Sequence, residues 1–133
     1  MSNLKAAMII YGAINIAEGI VMWFGQATIV NTMFNVSYIA SQYHFIGYVF
    51  TMLGAASISA GLLMIVAGLN PLPNINAVRF AILWSALFLI GQVYSIGAGY
   101  VSWSHVGLVA AVIINLVILL ALAVFYPWRN RTD

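Results

Sequence analysis

Apolar residues run through this chain in four long stretches, and most polar positions fall between them. The stretches cover residues 4–24, 44–68, 77–100 and 106–126. Each can cross a hydrocarbon core of about 30 Å, which takes roughly 20 residues of helix. Inside lipid every backbone N–H and C=O must be bonded within its own segment, so a helix is expected for each run. The breaks have distinct chemistry. Asn70-Pro71-Leu72-Pro73-Asn74 removes two backbone donors and favours a turn. Ser102-Trp103-Ser104-His105 is short enough to make the last two helices antiparallel neighbours, and Pro127 closes the fourth span. The pattern predicts an all-α, polytopic four-helix transmembrane bundle, one domain over residues 1–133.

Residues 26–43 read differently. Ile29, Val30, Met33, Phe34 and Val36 fall near a helical repeat, with Asn31, Thr32, Asn35 and Ser37 between them. Two readings fit: a short helix lying in the membrane interface, or an extended loop packed on the helix ends. Asn35-Val36-Ser37 also matches a glycosylation acceptor, a triplet common by chance. The first apolar run lacks a small-residue cleavage site before a polar region, so it reads as a retained span and not as a removed signal peptide.

Composition agrees with the pattern: 65% of the residues are hydrophobic, 5% are charged, and the mean hydropathy is +1.08. A soluble domain carries about a quarter charged residues, so that class is excluded. The net charge of +2 is too small and too scattered for a nucleic-acid surface. With no cysteine, disulfides, thiolate metal sites and cysteine nucleophiles are absent.

Charge orders the topology. With four spans, Lys5, Arg79, Arg129 and Arg131 all fall on one face, and the other face carries no lysine or arginine. The positive-inside rule then places both termini and the proline turn in the cytoplasm of a cell-membrane protein. Trp128 falls at the inner boundary; Trp23, Trp103, Tyr38, Tyr43 and Tyr100 fall near the outer one. These are the positions of interfacial anchors.

Against this background one residue stands out. The chain has two acidic residues, Asp133 at its last position and Glu18 inside the first span. A carboxylate there costs roughly 2.5–3.5 kcal/mol on insertion scales, so it needs a partner, a proton or water. Glu18 lies 13 residues past Lys5, about 20 Å into the membrane at the helical rise. Gln92, 13 residues past Arg79, and Thr51, seven past His44, are expected at a similar level, with Asn115 nearer the midplane. Tyr11, Asn15, Glu18 and Met22 share a stripe of the first helix, and Ser85, Gln92, Ser95 and Gly99 can share one on the third. Such stripes belong inside the bundle or against a protein partner. Gln92, Thr51 and Asn115 suit interhelical hydrogen bonds. For Glu18, remote from every cation, the expectation is a neutral carboxyl group sharing its proton with Gln92 or Asn15, or an ion pair to another subunit.

Other chemistry is thin. His44, His105 and Glu18 make a conceivable metal set, but Glu18 lies about two helical turns below both histidines. There is no phosphate-binding glycine loop, HExxH or GxSxG, no histidine pair spaced for haem, and no second intramembrane carboxylate for paired acid–base work. No cofactor and no enzymatic activity are expected. Gly47 with Thr51, Ala56 with Ala60, and Ser57 with Gly61 follow the small-xxx-small spacing. Gly12, Gly19, Gly91, Gly97 and Gly99 are also expected to permit close helix approach.

Tyr11-Gly12-Ala13, the small-residue helix from Gly54 to Gly68, and the run Phe88-Leu89-Ile90-Gly91-Gln92-Val93-Tyr94-Ser95 give the chain an outline that resembles the DoxX-like group of small four-helix membrane proteins. Some members of that group are similar to subunits of respiratory or oxidoreductase complexes. The resemblance rests on glycine placement and topology and carries over no functional residue. Ala13-Ile14-Asn15-Ile16-Ala17-Glu18 is similar to the first helix of the small multidrug resistance transporters. This chain departs from them in its long first outer connection, its proline turn before the third helix and its lack of their third-helix glycine motif. The leading expectation is a non-catalytic accessory or structural subunit of a larger membrane complex, of the respiratory or oxidoreductase kind; the alternative is a homodimeric proton-coupled small-molecule transporter using Glu18. The partners implied are lipid together with other membrane subunits or a second copy.

Overall fold

The computed structural model describes residues 2–33, 40–101, 103–104 and 106–128, with the backbone alone for residues 31–33 and 40–43. Five helices follow in order: α1 (Ser2–Phe24), α2 (Gln26–Met33), α3 (Ala40–Leu69), α4 (Ile75–Gly97) and α5 (Val106–Phe125). Four of them, α1, α3 from His44 onward, α4 and α5, are long and apolar enough to cross a membrane. No strand occurs among the described residues. The fold is an all-α, multi-pass helical bundle. Phe34, the Asn35-Val36-Ser37 triplet, His105, Arg129 and Arg131 lie outside the described residues.

The tightest packing joins α1 to α3, and glycine makes it. A Cβ built on Gly12 would lie 2.6 Å from the carbonyl oxygen of Gly61, and one on Gly61 would lie 2.5 Å from that of Gly12. Seven residues further along α1, a Cβ on Gly19 would lie 2.6 Å from the carbonyl oxygen of Gly54. A step of seven along α1 thus matches a step of seven back along α3, as antiparallel helices in continuous contact require. Within α3 the series continues at Gly47, Gly54, Gly61 and Gly68. In lipid, where apolar surface alone gives little drive for association, such close approach supplies the dispersion contacts that hold helices together. Trp23 uses the same groove. Its ring lies over Gly54, and its Nε1 donates to the carbonyl oxygen of Thr51 at 2.9 Å.

Helices α4 and α5 form a second pair that closes on the first. Leu4, Met8, Ala67, Val78 and Leu122 share one buried core. The start of α1, the end of α3, the start of α4 and the end of α5 therefore meet at one end of the bundle, the terminal end. The opposite, loop end carries α2 and the α4–α5 connection. Of the two readings for residues 26–43, the helix applies over Gln26–Met33, and Val30 is buried against the bundle. Gly25 links it to α1, donating to the Val21 carbonyl and accepting from Ile29.

Two expectations are corrected here. Helix α4 stops at Gly97 instead of reaching residue 100. Gly99 adopts φ +74°, its N–H bonds the carbonyl of Ile96 and that of Tyr100 bonds Ser95, a Schellman arrangement that caps the last carbonyls. Gly91, Gly97 and Gly99 also do not mediate helix approach, because a Cβ on any of them would meet nothing within 4 Å.

Candidate functional site

The polar residues inside the bundle divide into those whose bonds are satisfied locally and one that is not. Asn15 is 1% exposed. Its Nδ2 donates to the Tyr11 carbonyl at 2.9 Å and lies 4.0 Å from Met64 Sδ, and its Oδ1 accepts from Trp84 Nε1 at 2.8 Å. Trp84 is stacked between Phe80 and Phe88, with ring centroids 5.5 and 5.2 Å away. A half-buried tryptophan midway along an apolar span needs an acceptor for its N–H, and Asn15 provides it. On the other pair, Asn115 donates through Nδ2 to the Ala111 carbonyl at 3.1 Å and, at 3.5 Å, to Gln92 Oε1. The Asn115 carbonyl also accepts from Ser85 Oγ. Each such bond contributes about 0.6–2 kcal/mol. Thr51 is turned onto its own helix, with Oγ1 donating to the Gly47 carbonyl at 2.8 Å.

Glu18 differs from all of these: its side chain has no hydrogen-bond or ion-pair partner among the described residues. It is half-buried and faces a cavity of about 480 Å³. The walls come from every surrounding element: Ile14 and Met22 of α1, Ile29 of α2, Phe50 of α3, Phe88 and Gln92 of α4, and Ala111 of α5. A second cavity of about 470 Å³ adjoins it, since Met22, Phe88 and Gln92 line both, and it continues past Gly91 and Ser95 to Val101 and Leu108. Small-molecule sites usually measure about 300–1,000 Å³ with mainly apolar walls and a few placed polar groups. Here those groups are the Glu18 carboxyl, the Gln92 amide and the Ser95 hydroxyl. The hydroxyl donates back to the Gly91 carbonyl.

The expected level of polar groups is thus partly assembled. Glu18 and Gln92 share a cavity, and Asn115 reaches Gln92. Asn15 is taken by Trp84, so it is not the hydrogen-bond partner of Glu18. Thr51 stands opposite Trp23, more than a turn nearer the loop end than Glu18, because the α1–α3 register sets Glu18 against the region of Gly54. His44 lies ten residues before Gly54 on α3, which places it about 15 Å along the axis from that level. It is exposed, and no three potential metal ligands cluster among the described residues.

Three features of the site were not anticipated. Trp84 could have been flagged, because it lies far from both interfacial belts. The seven-residue series of α3 glycines was also present in the sequence. The cavity was not, because its walls come from all five helices.

No family model, curated protein or solved structure matches this chain.

Proposed function

We propose that this protein handles a proton and a small, largely apolar organic cation at Glu18, as a proton-coupled carrier in the membrane. One observation carries the reading: a carboxyl group without a hydrogen-bond partner among the described residues faces an apolar cavity large enough for a small molecule. An apolar residue would fit those walls at lower cost, so a carboxyl retained there points to use and not to packing. The cations Lys5 and Arg79 belong to the terminal end, so no charge of the described chain competes for Glu18. A protonated carboxyl is tolerable in such a cavity when it is empty. A bound ammonium group would stabilise the carboxylate and release the proton.

The accessory-subunit reading ranks second. It rests on minimal exposed loops, the lack of a recognisable catalytic motif and a polar stripe able to bond a neighbouring helix; of the polar residues, Asn15, Ser85, Gln92 and Asn115 are bonded within the chain. Leu83, Leu87, Ile90 and Tyr94 of α4 are also exposed, on a face that a neighbouring subunit would cover. Lipid covers such a face equally well. The cytoplasmic placement of both termini belongs to the same proposal and rests on the distribution of lysine and arginine.

Liposomes test the reading. With an inward-directed proton gradient, reconstituted protein should expel tetrabutylammonium above the leak of protein-free vesicles, and Glu18→Gln should reduce that flux to the leak. Equal flux from folded wild-type and Glu18→Gln protein would remove Glu18 from the mechanism.

A further inference from the structure

At the terminal end, far from Glu18, Arg79 is built into a second polar site. Its Nε donates to the Tyr126 hydroxyl at 2.7 Å and its Nη1 to Asn76 Oδ1 at 3.2 Å. Both acceptors are neutral, and Arg79 has no carboxylate partner among the described residues. Three of the five guanidinium N–H donors therefore have no protein acceptor among those residues. The guanidinium faces a pocket of about 270 Å³ whose other walls are Tyr126, Pro127 and Trp128. Two contacts hold Trp128 against the end of α5. The Trp128 Nε1 donates to the Ala123 carbonyl at 2.7 Å, and its ring packs on Tyr126 at 4.6 Å between centroids.

We propose that this pocket binds a phosphate-type oxyanion. A guanidinium whose position is set through Nε and one Nη atom presents its remaining donors as a planar fork, the shape that pairs with two oxygens of a phosphate. The Tyr126 hydroxyl, already accepting from Arg79, has its own proton free to donate to the same anion. Position adds to the argument. Arg79 lies near the start of α4 and Tyr126 just past the end of α5, where a membrane-spanning helix meets the headgroup layer. The local charge favours an anion: Lys5 is exposed at the same end, and the sole acidic side chain among the described residues is Glu18. The oxyanion can come from an anionic lipid headgroup or from a soluble phosphate, and the site chemistry is the same for both. This site is independent of the Glu18 proposal.

Native mass spectrometry of the full chain released from mild detergent separates these cases. Phosphatidylglycerol and phosphatidylcholine of equal acyl length are titrated into wild type, Arg79→Gln, Arg79→Lys and Tyr126→Phe, and inorganic phosphate is added as competitor. Phosphatidylglycerol should bind in preference to phosphatidylcholine, about ten- to a hundredfold more weakly in Arg79→Gln, the loss expected for a charge-assisted bond. Arg79→Lys should recover part of the affinity, because lysine keeps the charge without the fork. Tyr126→Phe should show a smaller loss. Displacement of the lipid by millimolar inorganic phosphate would assign the pocket to a soluble anion, and resistance to it would assign the headgroup. Arg79→Gln that retains its helical content and binds phosphatidylglycerol and phosphate like the wild type would overturn the proposal.

Discussion

Replacing Gly61 by leucine separates α1 from α3 and prevents the bundle from forming, whereas the same change at Gly91 leaves it folded. At Gly61 the first added carbon would lie 2.5 Å from the Gly12 carbonyl oxygen and 2.8 Å from an Ile16 side-chain carbon. The carbonyl belongs to a helix backbone, so the clash can be relieved only by moving the whole of α1. Overpacking a tight interior costs about 1–3 kcal/mol per insertion and sometimes more, and a leucine here forces apart the best-packed pair in the molecule. The displaced groove would also lose the seat of Trp23 over Gly54. At Gly91 nothing lies within 4 Å of an added Cβ, so leucine enters the second cavity instead of a backbone. Size-exclusion profiles and thermal unfolding in detergent read the difference. Equal stability of the two variants would show that the α1–α3 contact is not the structural centre of the fold.

Glu18→Leu should make the protein more stable while removing the proposed exchange. The substitution takes a carboxyl group without a partner among the described residues out of an apolar cavity and adds contacts with Met22, Phe50 and Phe88. Relief of an intramembrane carboxyl is worth on the order of 1–3 kcal/mol, reduced where a lipid-embedded unfolded state also shelters the group. A gain in stability together with lost activity is the signature of a residue retained for use. Denaturant titration in mixed micelles measures the gain. A Glu18→Leu protein less stable than wild type would instead make the carboxyl a structural element.

Much of this architecture was legible because lipid imposes its rules on every residue. The lengths of the apolar runs, the proline turn at Pro71 and Pro73 and the break near residue 102 follow from backbone bonding alone. Gln92 lines the same cavity as Glu18, and a count along straight helices from a boundary residue also sets the two at one level. Thr51 is not at that level: the glycine contacts between α1 and α3 set it beside Trp23, so α3 runs on past the end of α1 and a count from His44 overstates the depth of Thr51. The partner of Asn15 was missed for a related reason. A carboxyl and an amide three residues apart on one helical stripe invite pairing, but the Asn15 oxygen accepts from the indole of Trp84 instead. Glycines at 91, 97 and 99 look in sequence like those at 12 and 19; only packing separates the two sets.

The central claim is that Glu18 exchanges a proton for a bound cation, and proton release on binding tests it most directly. Tetrabutylammonium is titrated into weakly buffered, detergent-solubilised protein at several pH values while pH change and bound cation are both measured. Where Glu18 starts protonated, about one proton should leave per cation bound, and apparent affinity should rise with pH. Glu18→Gln should release none and bind far more weakly. Binding without proton release at every pH, or equal release from Glu18→Gln, would contradict the account.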